Sequence, residues 1–330
     1  MSQQNPSELR VVDLFCGAGG FSTGFAGLGE HTAHLAFDND SQFMDTYRRN
    51  FPHARAVLYD ISELHSTQIE HILGGRPDIL IASPPCEEFS LANPRSEHSA
   101  AERIYGDGSA RLVLDTIRLI GDLRPKVFVV ENVAALVMSG GREIVQWEFE
   151  RVGIGDVKFN MIYAHRHGVP SRRARVFISN LELRLPQRKP PTVMEAIGDL
   201  PPLGLDALLD PGRCVANHQL KPLTEEDLKR IRRTRSGRGA KYFTTGGRSL
   251  PNWVRLKPDS VASSVIGLSR YVHPFENRLL SVREHARLMS YHDSFVFLGP
   301  IESQYNQVGE SVPPLLSRLI AQEVISQVEW

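Results

Sequence analysis

The sequence predicts an α/β protein: a doubly wound, mostly parallel sheet joined to a second, smaller domain. From Val11 to about Asn180, short apolar runs alternate with amphipathic stretches of helical length. Chemistry-bearing residues fall where several of those runs end. After Asn180 the texture breaks into proline-rich and basic segments, and regular patterning resumes only near the C-terminus.

The candidate strands, in order, are "RVVDLF", "HLAFD", "RAVLY", "DILIAS", "KVFVVEN", "KFNMIYA" and "RVFISN". Between them lie amphipathic stretches such as "SQFMDTYRRNF" and "ARLVLDTIRLIGDLR". Strand and helix alternating at this spacing implies parallel strands linked by crossover helices. In such sheets ligands sit beyond the C-terminal strand ends. "LPQRKPPTV" and "LPPLGL" mark a boundary, because proline punctuates regular structure. Near the end, "SVREHARLMSYHD" reads as a helix opened by Ser281, with Glu284 closing a capping box. A last helix begins at "PPLLSRLIAQ", where proline's missing amide is harmless. No internal repeat is visible.

Composition narrows the classes. The chain has 330 residues, 41% hydrophobic and 23% charged, which suits ordinary globular cores. Its 38 Lys and Arg balance 38 Asp and Glu, so attraction to a polyanion must come from a local patch. Cys16, Cys86 and Cys214 form no CxxC pair and are odd in number. That argues against a disulfide framework or a cysteine-rich zinc site, and no metal is expected. Cys214 and His218 lie close together, but further ligands at metal-like spacing are missing. No apolar run would span a bilayer, so a soluble cytoplasmic protein is expected.

The first strand leads into "FCGAGGFSTGF", with Gly17, Gly19 and Gly20 before a helix. Glycines let the backbone turn tightly and approach a ligand, and a helix start offers free amides. The spacing is not GxGxxG, nor is there a GK[ST] ending, so the glycines alone could serve chain reversal. Asp38 ends the second strand, where a carboxylate can accept from ribose hydroxyls, and Asp60 follows the third. Either alone reads as a cap or turn residue; three successive strand ends carrying ligand-suited groups is a stronger pattern.

"SPPCEEFS" follows the fourth strand. Pro84 and Pro85 stop that strand and stiffen the loop, so Cys86 is aimed rather than packed. Glu131 ends the next strand in "VVENV", where an acid can donate a proton. In "SRRARV", Arg173 and Arg175 lie two apart, on one strand face. They could grip a carbonyl oxygen and keep a thiol ionised. Thiolate, acid, guanidinium and cofactor loop together suit an electron-poor ring such as a pyrimidine.

These motifs resemble those of the DNA (cytosine-5)-methyltransferases. The resemblance rests on "DLFCGAGGFSTGF", "SPPCEEFS", "ENV", "RRARVFI", "RLLSVREHARL" and "QVGESVPP", in the family's order. It implies a Rossmann-like methyltransferase sheet in residues 1–180, a target-recognition domain in 181–272, and a segment 273–330 returning to complete the first. It implies S-adenosylmethionine as cofactor. Phe15 would pack beside it, with Gly17, Ala18, Gly19 and Gly20 around its methionine end and Pro84 near. Asp38 would bind the ribose and Asp60 with Ile61 the adenine, Asn39 standing at the position that faces the adenine; Ser311 and Val312 would touch the cofactor from the late motif. Cys86 would add to cytosine carbon 6, Glu131 protonate ring nitrogen 3, and Arg175, supported by Arg173, hold the exocyclic oxygen. The base must then leave the duplex.

Four positions depart from the family's usual residues: Asn39 stands for an aromatic, Glu87 and Ser171 for glutamine, and Glu310 for asparagine. Drift at a tolerant rim, or altered cofactor preference, would each account for Glu310. Duplex DNA is the expected partner. Ser90 and the run Lys229–Lys241, with seven bases in thirteen residues, are the candidate contacts, through Arg232, Arg233, Arg235, Arg238 and Lys241. A monomer in a prokaryotic, nucleoid-associated setting is expected, either alone or paired with a cognate restriction endonuclease. A tRNA cytosine-5 methyltransferase and a DNA-binding homologue with impaired catalysis are the alternatives.

Overall fold

The computed structural model describes residues 9–28, 32–85, 87–89, 99–203, 214–245, 248–267 and 269–330. They form two compact units. The first takes the chain as far as Ile162, then Ala174–Pro186 and Leu316–Trp330; the second takes Tyr163–Arg173 and Gln187–Leu315. The stretch 273–330 is thus shared, passing from one unit to the other at Leu315.

In the first unit each predicted apolar run is a strand: β1 (Leu9–Leu14), β2 (Thr32–Asp38), β3 (Arg55–Leu58), β4 (Ile79–Ala82), β5 (Val127–Val133), β6 (Lys158–Tyr163) and β7 (Ala174–Ser179). They order as β3-β2-β1-β4-β5-β7-β6. β1 to β5 pair in parallel, and β7 runs antiparallel to β5. Continuous apolar runs form the central strands because both faces of a wound sheet are covered. All of Ile79–Ala82 and Val127–Val130 is buried. The covering helices are α1 (Ser22–Phe25), α2 (Ser41–Asn50), α3 (Ser66–Leu73), α4 (Ala100–Ile104), α5 (Leu112–Leu123), α6 (Ala134–Leu136) and α7 (Arg142–Arg151), with the closing helix Pro314–Gln327. α5 shows the pattern well: Val113, Ile117, Ile120 and Leu123 recur at helical spacing and enter the core.

Strand order reverses between β1 and β4, which places the glycine loop and the proline loop side by side. Ser83 N donates to Leu14 O at 3.1 Å and Cys16 N to Phe37 O at 3.0 Å, so the ladders continue into both loops. Such a switch point is where a wound sheet opens a crevice.

A polar cluster lies inside this unit. Ser22 Oγ donates to the fully buried Asp13 and lies 2.8 Å from Tyr47 Oη and 3.2 Å from His34 Nε2. Burial pushes the Asp13 carboxyl up to about 8 and His34 down to about 4. Between pH 4 and 8 folded Asp13 holds a proton that the unfolded chain has released, so its contribution makes stability fall as pH rises. His34 acts oppositely, but only up to its unfolded value near 6.5. Asp13→Asn should therefore reduce the loss of stability between pH 6.5 and 8 by about 2 kcal/mol, measured by urea unfolding. Parallel losses in both proteins would mean that Asp13 is ionised in the fold.

The second unit holds a small sheet, β8 (Gly239–Thr245), β9 (Arg248–Arg255) and β10 (Tyr271–Val272), in the order β10-β9-β8. Around it lie α8 (Val193–Ile197), α9 (Glu225–Arg233), α10 (Val282–Leu288) and α11 (Ile301–Glu310). Ser281 does open α10: Glu284 N donates to Ser281 Oγ at 3.1 Å, and Ser281 N to the Glu284 carboxylate at 2.6 Å. His218 has both ring nitrogens in hydrogen bonds, to Ser281 Oγ and Pro201 O, each at 2.8 Å. No helix among the described residues is long and apolar enough to cross a membrane.

Candidate active site

The chain leaves β1 through Phe15, which sits at φ 58°, an uncommon conformation for a bulky side chain. Gly17 and Gly19 follow at φ 54° and 97°. At Gly19 glycine is also required sterically, since a Cβ would lie 2.2 Å from the Phe51 ring. At Gly17 it would meet no atom within 4 Å, so this side of the loop is open. Gly17 N donates to Asp38 Oδ2 at 2.8 Å and Asp40 N to Asp38 Oδ1 at 2.9 Å. Asp38 is thus locked to the glycine loop. Burial pushes its carboxyl up, and the amide donors pull against that. Asn39 is exposed, between Asp38 and the α2 cap Asp40. Asp60 is exposed and accepts from Ser62 N at 2.9 Å, while the neighbouring Ile61 is buried in the core.

Cys86 and Ser90 lie outside the described residues, but their flanks are described. Pro84 is buried and its carbonyl accepts from Asn132 Nδ2 at 3.4 Å. Glu88 and Phe89 are buried, and Arg103 of α4 holds them: Nη1 donates to Glu88 O at 3.4 Å, and the guanidinium lies 4.9 Å from the Phe89 ring centre. A Cβ at Gly108 would fall 1.6 Å from the Glu88 carboxylate, so the acid is seated against glycine backbone.

Glu131 on β5 is buried, and Arg175 Nε from β7 lies 2.9 Å from its Oε1. Neither atom makes a hydrogen bond there, so the contact is a close ion pair whose N–H is not aimed along it. Antiparallel register sets Glu131 opposite Phe177 and Val133 opposite Arg175, putting the two charges diagonally on one face. Arg173 does different work within the second unit. It is 2% exposed and donates through Nη1 to Val265 O at 2.8 Å and Gly309 O at 2.9 Å. Ser311 and Val312 also fall in the second unit, with Ser311 Oγ donating to Val308 O at 2.9 Å. Phe15 to Gly20, Asp38, Asn39, Asp60, Ile61, Pro84, Glu131 and Arg175 fall in the first. Asn132, Glu88 and Arg103 were not singled out from sequence as tethers. Asn132 was legible only as part of "ENV", and Arg103 carried no local signal.

The basic run divides by partner. α9 opens on Glu225, Glu226 and Asp227 and closes on bases, a favourable order for a helix. Arg230 pairs with Glu226, Arg232 with Glu225 at 3.5 Å, and Lys241 with Asp227 at 2.9 Å. Lys241 Nζ also sits 3.8 Å over the ring of Trp253, which is buried against Ile231. Arg233, Arg235 and Arg238 are exposed and have no carboxylate partner among the described residues. Tyr242 is 60% exposed on β8.

The family model for C-5 cytosine-specific DNA methylases matches residues 9–326. The chain belongs to that family. It is 37% identical to a Methanocaldococcus jannaschii protein provisionally named as the type II methyltransferase M.MjaORF1200P, across 96% of this chain and 98% of the relative. It is 33% identical to type II methyltransferase M1.HphI of Haemophilus parahaemolyticus, across 96% and 87%. The fold matches that of a provisionally described DNA modification methyltransferase from an E. coli prophage, with TM-score 0.75 and 21% identity over 96% of this chain and 99% of the other. It also matches the Entamoeba histolytica methyltransferase EhMeth, with TM-score 0.68 and 17% identity over 98% and 100%.

Two departures of this cytosine-5 methylase from its family's usual residues now have surroundings. Ser171 is fully buried; its Oγ donates to Ser263 O at 3.2 Å and accepts from Val265 N at 3.3 Å. Glu310 is exposed, and its carboxylate lies 2.5 Å from where a Cβ at Gly267 would be, so glycine leaves it room.

Proposed function

We propose that this chain transfers a methyl group from S-adenosylmethionine to carbon 5 of a cytosine flipped out of duplex DNA, through a covalent adduct at Cys86. The observation that carries the reading is the buried Glu131–Arg175 pair, whose Glu131 lies on the same strand as Asn132, the residue that holds Pro84, two residues before that cysteine.

The residues fit the cofactor. The loop is open at Gly17, and Asp38 keeps acceptor capacity beyond its two amide bonds. Phe15 and Ala18 to Gly20 would complete the cradle, with Asp60 towards the base. When bound, the sulfonium supplies an electrophilic methyl group. The protein's part is to make a weak carbon nucleophile strong. Addition of the Cys86 thiolate at carbon 6 ends the ring's aromaticity, and Glu131, having taken up a proton as the base binds, meets the charge arriving at nitrogen 3 by giving that proton. Arg175 holds the exocyclic oxygen and keeps Glu131 in place. Once carbon 5 carries the methyl group, loss of its proton to water restores the ring double bond and expels the Cys86 thiolate, and nitrogen 3 returns its proton to Glu131. Arg173 braces the backbone that leads to Ser311 and Val312.

Residues 181–272 are the proposed target reader. Exposed cations free of carboxylates engage phosphate at less cost than paired ones. Arg233, Arg235 and Arg238 changed together to glutamine should thus flatten the salt dependence of duplex binding by about two to three units. Changing Arg232 and Lys241 should alter it by less than one. Equal effects, measured by anisotropy titrations across salt, would contradict this division.

Type II relatives suggest work beside a restriction endonuclease. Bisulfite sequencing of DNA from cells expressing the chain tests the function. One short sequence with protected cytosine is expected; methylated tRNA with fully converted DNA would overturn the reading.

A further inference from the structure

Two segments left aside by the site meet in the second unit. "AHRHGVP", after β6, and the proline-flanked "PQRKP" form an isolated parallel bridge, His167 with Arg188, and Arg188 N donates to Arg166 O at 2.8 Å. Gly168 permits the approach: it sits at φ 93°, and a Cβ there would press on Leu315 and on Arg188 Cβ at 3.2 and 3.4 Å. Together they line a hollow of about 420 Å³ with His165, Arg166, Gln187, Arg188, Lys189 and Pro190.

Three permanent cations share this hollow, and none forms an ion pair with a carboxylate among the described residues. Glu195 feels Lys189 electrostatically, but its carboxylate is occupied by Thr192 N at 2.7 Å in the α8 capping box. Arg166 lies 4.7 Å over the Tyr163 ring, which steadies the guanidinium while leaving its edge donors available. His165 Nδ1 is buried without a hydrogen bond. Burial first, then Arg166, Arg172 and His167, holds the His165 ring below its ordinary value, as expected where positive charge accumulates. Collecting like charges costs free energy unless an anion offsets it. Arg166, Gln187, Arg188 and Lys189 are exposed, so the hollow suits an anion carried on a long polymer rather than an enclosed small molecule.

We propose that this hollow grips a backbone phosphate of the DNA duplex through Arg166, Arg188 and Lys189, as a positioning contact separate from the basic run of α9 and β8. The proposal rests on the reading of the chain as a duplex methyltransferase. Phosphate contacts fix register without reading sequence, so this clamp would set where the duplex lies and leave target choice to other loops.

The test uses the full chain and labelled duplex DNA titrated across salt. Arg166→Gln/Arg188→Gln/Lys189→Gln should flatten the slope of log Kd against log salt by about one unit and weaken low-salt binding about tenfold. It should leave the protected sequence unchanged. Arg166→Lys/Arg188→Lys, which keeps the charge, should restore most of the slope, and Arg76→Gln should do nothing. Equal melting temperatures show that the fold survives. An unchanged slope in a protein that methylates DNA overturns the clamp alone. A His165 resonance that shifts with millimolar inorganic phosphate beside an unchanged DNA slope also overturns it, in favour of a free-anion site. A parent chain that neither binds nor methylates duplex overturns the functional reading, and the clamp with it.

Discussion

Cys86→Ser should lower methyl transfer to duplex DNA by roughly a thousandfold or more, because the hydroxyl is almost never ionised near neutral pH and is the weaker nucleophile. The change replaces one atom, so duplex binding and melting temperature should stay close to those of the parent. Labelled methyl transfer at saturating DNA and cofactor measures the loss in kcat, where a group acting only in the transition state belongs. Activity within tenfold of the parent would remove covalent catalysis at this residue. The described residues on either side of Cys86 are tethered: Pro84 by Asn132, and Glu88 with Phe89 by Arg103.

Glu131→Gln should cost roughly 10²- to 10⁴-fold in kcat, the usual worth of a positioned proton donor. It should also destabilise the fold, since the Arg175 side chain is only 12% exposed and loses its counter-charge. Removing one partner of a buried pair costs up to about 3–5 kcal/mol, and the remaining exposure of Arg175 lowers that figure. A double-mutant cycle separates the two effects. Arg175→Met in the Glu131→Gln background should recover part of the melting temperature and none of the activity. A single variant that keeps kcat within about threefold would show that nitrogen 3 gets its proton elsewhere.

The strands were legible because a wound sheet buries both faces, so each of them stands out as an apolar run between polar linkers. Their ends were legible for the same reason: Asp38, Asp60 and Glu131 are acids where apolar runs stop. Pairing direction was not. Nothing local in "RVFISN" distinguishes β7 as antiparallel to β5, yet that direction brings Arg175 to Glu131. Arg173 and Arg175 looked alike two residues apart, and only the distant carbonyls of Val265 and Gly309 give Arg173 its separate task. The basic run looked uniform, but the acids at Glu225, Glu226 and Asp227 stand just before it and take up Arg230, Arg232 and Lys241. Trp253, which follows the basic run closely in sequence, packs against Ile231 and is core. Asp13 gave no sign of its cluster, because His34 and Tyr47 reach it only when β2 and α2 fold onto β1.

A duplex carrying 5-fluorocytosine at the protected position probes the covalent step itself, because fluorine cannot depart as the proton does. Incubated with S-adenosylmethionine, the chain should form a stable protein–DNA species, and peptide mass spectrometry should place the bond on Cys86. A chain that methylates ordinary duplex yet leaves the fluorinated one unattached, or attaches it through another residue, would contradict the account.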